Sequence, residues 1–469
     1  MNALAVTTVE LSRWQFAVTI IFHFIFVPIT IGMGLFVAGL QTAWYRTRSE
    51  KYLRLTNFFG RIFLVNIALG VVTGIVQEFQ FGMNWATYSR FVGDVFGAPL
   101  AIEGLIAFFL ESVLIGVWIF GAGRISQRLH LLTIWAAALG AVMSAYIILA
   151  ANSWMQHPVG YRVNPVTHRA ELTSLWAIMT NGLLLLGFAH VISAALVTVG
   201  VLVLAIAAYH LLKRREVELF THVAQISLVI LFIGGGSTIL WGHFQGQLLV
   251  REQPMKMAAA EALFKTEKPA SLSLFAITPW SNPTKNDFNI PIPHLLSFLN
   301  DWHWNSKAVG INDLQKQYVA TYGAGNYKPN VVVSYWSFRL MTGIGFTFVG
   351  WAALGLLLAR KRRLESSKLF LLLSIPFVAL PFAANTLGWI LTEMGRQPWI
   401  VQGLQKTGVG FSHSLSMASV AFTLAGFTLV YGTLALVETG LVLHIVRSGP
   451  APPAEPGSEE SEHLLQMGY

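Results

Sequence analysis

Two histidines stand inside long apolar runs, His23 in "IIFHFIFVP" and His190 in "LLLLGFAHVISAALV". Ionisable side chains at membrane depth are costly and usually functional. Each histidine reads either as a buried imidazole bonded to a carbonyl or as a metal ligand. Met341 in "YWSFRLMTGIG" opens another run beside Arg339, and by itself reads as packing. Glu103 and Glu111 in "PLAIEGLIAFFLESVLIG" are eight apart, about 80° around a regular helix, and so share one broad side. With Ser112 beside them they suit a proton relay; the alternative is two acids bonded to neighbouring helices. Glu393 in "TLGWILTEMGRQPW" follows Trp389 by four residues and precedes Arg396 by three, which puts the indole and carboxylate on one helix face. Two histidines, a methionine, three carboxylates and many aromatics fit haem held by side chains. A His/Met pair makes a six-coordinate electron-transfer haem, whereas an open position makes an oxygen site. With no cysteine in the chain, disulfides, thiolate metal sites, iron–sulfur clusters and covalently attached haem are excluded. A haem–copper centre would need a cluster of histidines that the runs do not contain.

The elements that must position these groups are membrane helices. Hydrophobic residues make up 54% of the 469 and charged residues 11%, against roughly a quarter charged in soluble domains. Apolar runs near 15–42, 57–80, 98–121, 130–151, 180–211, 220–243, 332–359, 368–393 and 412–446 predict an all-α polytopic membrane protein with about nine transmembrane helices. Basic clusters such as "YRTRSEKYLR" and "RKRRLESSK" alternate with poorer loops, placing the N-terminus outside and the C-terminus inside. The formal charge of +9 is carried by these clusters, so it indicates no nucleic-acid partner. No basic region precedes the first run, so that run is expected to be kept rather than cleaved as a signal peptide. The expected organisation is six helices in 1–243, an outer segment over 244–331, three helices in 332–447, and a disordered Pro-rich acidic tail at 448–469. Within the outer segment, "MKMAAAEALFK" predicts a short surface helix.

The motifs "LSRWQFAVTIIFHFIFVP", "GIVQEFQFGMNW", "GAPLAIEGLIAFFLES", "ANSWMQHPVG", "QPMKMAAAEA", "YWSFRLM" and "GWILTEMGRQPW" run in order from residue 11 to 399. In them the chain resembles subunit I of cytochrome bd, the bacterial quinol oxidase, of the class with a short quinol loop. The resemblance implies that His190 and Met341 are axial ligands of the low-spin haem b558, with Arg339 beside it. It implies that His23 and Glu393 hold the two high-spin haems, d and b595, in an order left open, and that Glu103 faces the oxygen-binding haem. Arg396 would offset charge near a haem propionate. Trp389 would lie on the electron route, and Glu111, Ser112 and Ser144 on a proton path from the inside. Lys256 and Glu261 would bind quinol, ubiquinol or menaquinol, at a site separate from the haems; read without the resemblance, they are a solvated helix face.

The resulting expectation is a multi-pass subunit of the bacterial cytoplasmic membrane that oxidises quinol at the outer face. It would reduce O2 to water and build a proton gradient without pumping. Its partners would be subunit II, small accessory membrane subunits and membrane lipid. A b-type electron carrier without oxygen chemistry and a proton-coupled secondary transporter are the alternatives.

Overall fold

The computed structural model describes residues 7–452, so the acidic tail lies outside the described residues beyond that point. Among the described residues, nine helices are long and apolar enough to cross a membrane. They are Thr8–Thr47, Glu50–Gly82, Ala86–Phe120, Gln127–Gln156, Leu175–Leu212, Val217–Glu252, Val331–Arg360, Lys368–Met394 and Met417–Ser448, called here the first to ninth spans. Most of them are longer than the apolar runs behind them. A run stops at the first charges, whereas helical hydrogen bonding continues until a cap or breaker ends it. Thr7 and Glu10 start the first span with reciprocal bonds to each other's backbone N–H, a capping box. Arg48, in the left-handed region, ends that span.

Three expectations from the sequence change. The sixth span continues to Glu252, so the outer segment begins at Gln253 rather than at 244. Met341 and Arg339 do not open the seventh span; that helix starts at Val331, which sets them between about two and three turns into it. The third span is not a regular helix between its two acids. Glu103–Phe108 forms a π-helical turn, with Pro99 just before it. A π turn inserts extra backbone and rotates the helix beyond it, so the 80° offset for Glu103 and Glu111 does not apply.

The fifth span is the centre of the bundle, with 72% of its apolar window buried, against 7% for the third and 11% for the ninth. The core around it includes Phe58, Phe59 and Phe63 of the second span and Phe220 and Leu228 of the sixth. The segment between the sixth and seventh spans folds over one end of the bundle. Its elements are a short helix Pro254–Ala260, a hairpin of Leu272–Ile277 with Phe288–Ile292, and helices Leu295–Asp301 and Ile311–Tyr322. The helix expected on the surface is present but buried. Met255, Ala258 and Ala259 pack with Phe264, Ile311 and Leu314 of the segment and with Tyr335 of the seventh span.

A closed polar ring ties the first, third and fourth spans together. Trp118 Nε1 donates to Gln41 Oε1 at 2.8 Å, Gln41 Nε2 donates to His130 Nδ1 at 2.8 Å, and His130 Nε2 donates to the Trp118 carbonyl at 2.7 Å. All three residues are buried. Hydrocarbon supplies no substitute partner. Gln41→Leu preserves bulk but strands the indole N–H and the imidazole nitrogen, at about 1–3 kcal/mol for each orphaned group. The expected result is a clear fall in the thermal midpoint of the detergent-solubilised protein; an unchanged midpoint would show that the ring contributes nothing.

Candidate functional site

The two histidines are held so that one ring nitrogen stays free. Thr73 Oγ1 lies 2.9 Å from His23 Nδ1 and 2.9 Å from the Gly70 carbonyl. His190 Nδ1 lies 3.0 Å from the Thr238 carbonyl, which can only accept. In His190 the proton is therefore on Nδ1, and in both rings Nδ1 is occupied by the protein while Nε2 is left to face a metal. Glycines make room at each ligand candidate. A Cβ on Gly74 or on Gly242 would lie 3.1 Å from Cε1 of His23 or of His190, and one on Gly388 would lie 2.9 Å from Met341 Sδ. Trp389, next to Gly388, stacks on Phe24 with ring centroids 5.9 Å apart and planes 20° from parallel. The indole thus reaches from the Met341 neighbourhood to the residue beside His23, rather than lying simply alongside Glu393.

Glu393 sits in the last turn of the eighth span with both carboxylate oxygens engaged. Oε1 accepts from Asn152 Nδ2 at 2.9 Å, and Oε2 is ion-paired with Arg396 Nη2. Arg396 is buried, and its Nε and Nη1 have no partner among the described residues. Each carboxylate oxygen retains a lone pair for a metal, and the guanidinium retains donors for an added anion. Two imidazole nitrogens, a thioether and a carboxylate, with cleared space and spare buried donors, fit haem iron and a haem propionate.

Lys256 lies close by, 3% exposed, its Nζ donating to Gln156 Oε1. Its stem fills the space where Gly395 lacks a side chain. Burial holds its ammonium pKa well below the usual lysine range, with Arg396 adding to that shift and Glu393 opposing it. Glu261, 5% exposed, is bonded through Oε2 to Arg339 Nη2 at 2.5 Å. Burial raises the pKa of this carboxyl, against the pull of the guanidinium. Neither residue belongs to a solvated face. Nor is Glu261 separate from the candidate haem ligands: Arg339 is two residues from Met341, and its Nε also holds the Ser273 carbonyl of the outer hairpin at 2.9 Å.

The acids of the third span meet the fourth. Ser144 Oγ donates to Glu103 Oε1 at 2.5 Å, and Glu111 lies against Gly140, one turn away along the fourth span. Glu78 of the second span lies near Glu103. Ser112 points to the exposed side of its helix and does not join them. Sequence reasoning passed over Glu78, Asn152, Gln156, Thr73 and Thr238. The motif "ANSWMQHPVG" was the one available signal for Asn152 and Gln156, since it interrupts an apolar run with two amides one turn apart.

Comparison with known proteins adds independent findings. The sequence profile of the family described as Cytochrome bd terminal oxidase subunit I matches residues 11–450. The chain is similar to Cytochrome bd ubiquinol oxidase subunit 1 of Bacillus subtilis, at 42% identity over 440 residues, covering 94% of this chain and 93% of the relative. It is similar to Cytochrome bd-II ubiquinol oxidase subunit 1 of Escherichia coli, at 31% identity over 500 residues, covering 94% and 97%. A solved structure of bd oxidase from Geobacillus thermodenitrificans superposes with a TM-score of 0.86 at 28% identity, covering 96% of this chain and 100% of that one.

The Glu261–Arg339 pair yields a measurable expectation. Glu261→Ala leaves the partly buried Arg339 guanidinium without its counter-charge, at up to about 3–5 kcal/mol. The outer hairpin, held partly by the same arginine, should loosen. Limited proteolysis between 253 and 330 should become faster and the thermal midpoint should fall, while Glu261→Gln, which retains a hydrogen-bond acceptor, should lose less. Equal resistance to protease in wild type and Glu261→Ala would show that the pair does not hold the segment.

Proposed function

This chain belongs to the cytochrome bd terminal oxidase subunit I family, and from that membership we propose that it binds three haems through His190 with Met341, His23, and Glu393. It is a multi-pass protein of the bacterial cytoplasmic membrane and a subunit of a quinol:oxygen oxidoreductase. The observation that carries the ligand reading is the donor set itself. In both histidines a hydrogen bond occupies Nδ1 and leaves Nε2 bare, and both oxygens of Glu393 are oriented without being saturated.

In this reading His190 and Met341 hold the low-spin haem b558. His23 and Glu393 hold the high-spin pair, d and b595. When bound, the haems supply electron transfer and oxygen reduction; the chain supplies placement, charge and proton access. Arg396 directs its spare N–H groups at a propionate. Trp389, stacked on Phe24, provides a short aromatic path from the Met341 neighbourhood to that of His23. Lys256 and Glu261 serve the quinol, either ubiquinol or menaquinol: the lysine polarises a ring oxygen and the carboxylate accepts a proton as the quinol is oxidised. Glu111, Ser144 and Glu103 pass protons from the inner face towards the oxygen site, with Ser112 left aside because it faces outward. Taking protons up inside and releasing them outside separates charge without a pump. The chain lies with its N-terminus outside, the outer segment over 253–330 forms the quinol side, and the tail faces inward. Subunit II, with small accessory subunits, completes the complex.

Two variants test this. Met341→Leu keeps bulk and removes the sulfur, so the low-spin signal should turn high-spin or vanish while the other haems persist. Glu393→Gln should remove one high-spin haem and abolish oxygen reduction. Retention of all three haems with full turnover in the second variant would make Glu393 structural, and an unaltered low-spin spectrum in the first would remove Met341 from the ligand set.

A further inference from the structure

Between the outer segment and Glu393 runs an unbroken line of hydrogen bonds to which the proposed function gives no part. Lys256 Nζ donates to Gln156 Oε1, Gln156 Nε2 donates to Asn152 Oδ1 at 3.4 Å, and Asn152 Nδ2 donates to Glu393 Oε1 at 2.9 Å. Every bond points the same way, from an amine donor at one end to a carboxylate at the other. The two amides sit one turn apart on the fourth span, so a single rigid helix sets their spacing. The loop end is doubly fixed, since Gln253 Nε2 donates to the Gln156 backbone carbonyl at 2.5 Å. Gln253, Lys256 and Gln156 are all buried, which keeps water from competing for these bonds.

Aligned amides polarise one another: a donor on the first carbonyl strengthens the N–H bond that the same amide donates onward. We propose that Asn152 and Gln156 are positioning residues that couple Lys256 to Glu393. The strength of the hydrogen bond received by Glu393 Oε1 then depends on what Lys256 is bonded to. A quinol oxygen that draws Lys256 away from Gln156 weakens the far bond, so occupancy of the outer segment is felt at the carboxylate without any backbone movement. The inference rests on the reading of Glu393 as an iron ligand.

Its sign is fixed by simple electrostatics. A hydrogen bond draws negative charge off a ligating carboxylate, and losing it leaves a more anionic ligand that favours ferric iron. The test is a spectroelectrochemical titration of the haems in the intact multi-subunit complex. Gln156→Leu and Lys256→Met should each lower the midpoint potential of the same high-spin haem while haem content is unchanged. Gln156→Glu, which keeps an acceptor for Lys256 but loses the donor to Asn152, should do likewise and serves if the leucine variant fails to assemble. Because the chain is serial, the Lys256→Met/Gln156→Leu double variant should lie no lower than Gln156→Leu alone. Additive shifts, or an unmoved potential in the Gln156 variants when Glu393→Gln does lose its haem, would overturn the coupling. If Glu393→Gln keeps every haem, the ligand reading fails and the coupling with it.

Discussion

A hydrocarbon interior offers polar atoms no water, so each must find its partner within the protein. The arrangement of this chain depends on how strictly that rule is kept and where it is relaxed. One place where it is kept is the closed ring of Gln41, Trp118 and His130. Around His23 and His190 the partners are supplied on one side only, Thr73 and Thr238 each engaging Nδ1 and leaving Nε2 bare; at Glu393, Asn152 and Arg396 each take one oxygen and leave it a further lone pair. The same asymmetry marks Arg396, whose Nη2 is paired while Nε and Nη1 are not.

The parts of this scheme visible in the sequence are those that break an apolar run. His23, His190, Glu103, Glu111 and Glu393 stand out because a charge or imidazole among leucines and phenylalanines has few ordinary explanations. The spans themselves follow from the length of each run, and the family resemblance rests on those same interruptions. Partners were not visible in the same way. Thr73 and Thr238 are unremarkable residues in membrane helices, where a hydroxyl commonly bonds to its own preceding turn, and nothing in their spacing shows that an imidazole lies opposite. Asn152 and Gln156 were within a quoted motif, yet their role depends on the eighth span and the outer segment meeting the fourth, a contact between residues far apart in the chain.

The burial of Lys256 and Glu261 is hidden in the sequence for a related reason. Alanine-rich segments flanked by lysine and glutamate usually form solvated surface helices, and "MKMAAAEALFK" has that composition. Here the alanines face inward over the end of the bundle, small enough for the segment to seat deeply. That depth brings Lys256 against Gly395 and Glu261 against Arg339. The π turn at Glu103 was likewise out of reach, since no residue type requires one.

The third span has most of its apolar window uncovered, with Leu105, Val113 and Phe120 all exposed, while Glu103 and Glu111 on the same helix turn towards the fourth span. Only the width of one helix, about 10 Å, separates those acids from whatever adjoins the outer flank. For the proton path proposed above, the chain supplies insulation on one side only. The dielectric on the other side must come from a neighbouring subunit or from lipid, and a gap there would let protons cross without doing work. Assembly of the complex therefore seals a circuit as well as joining its parts.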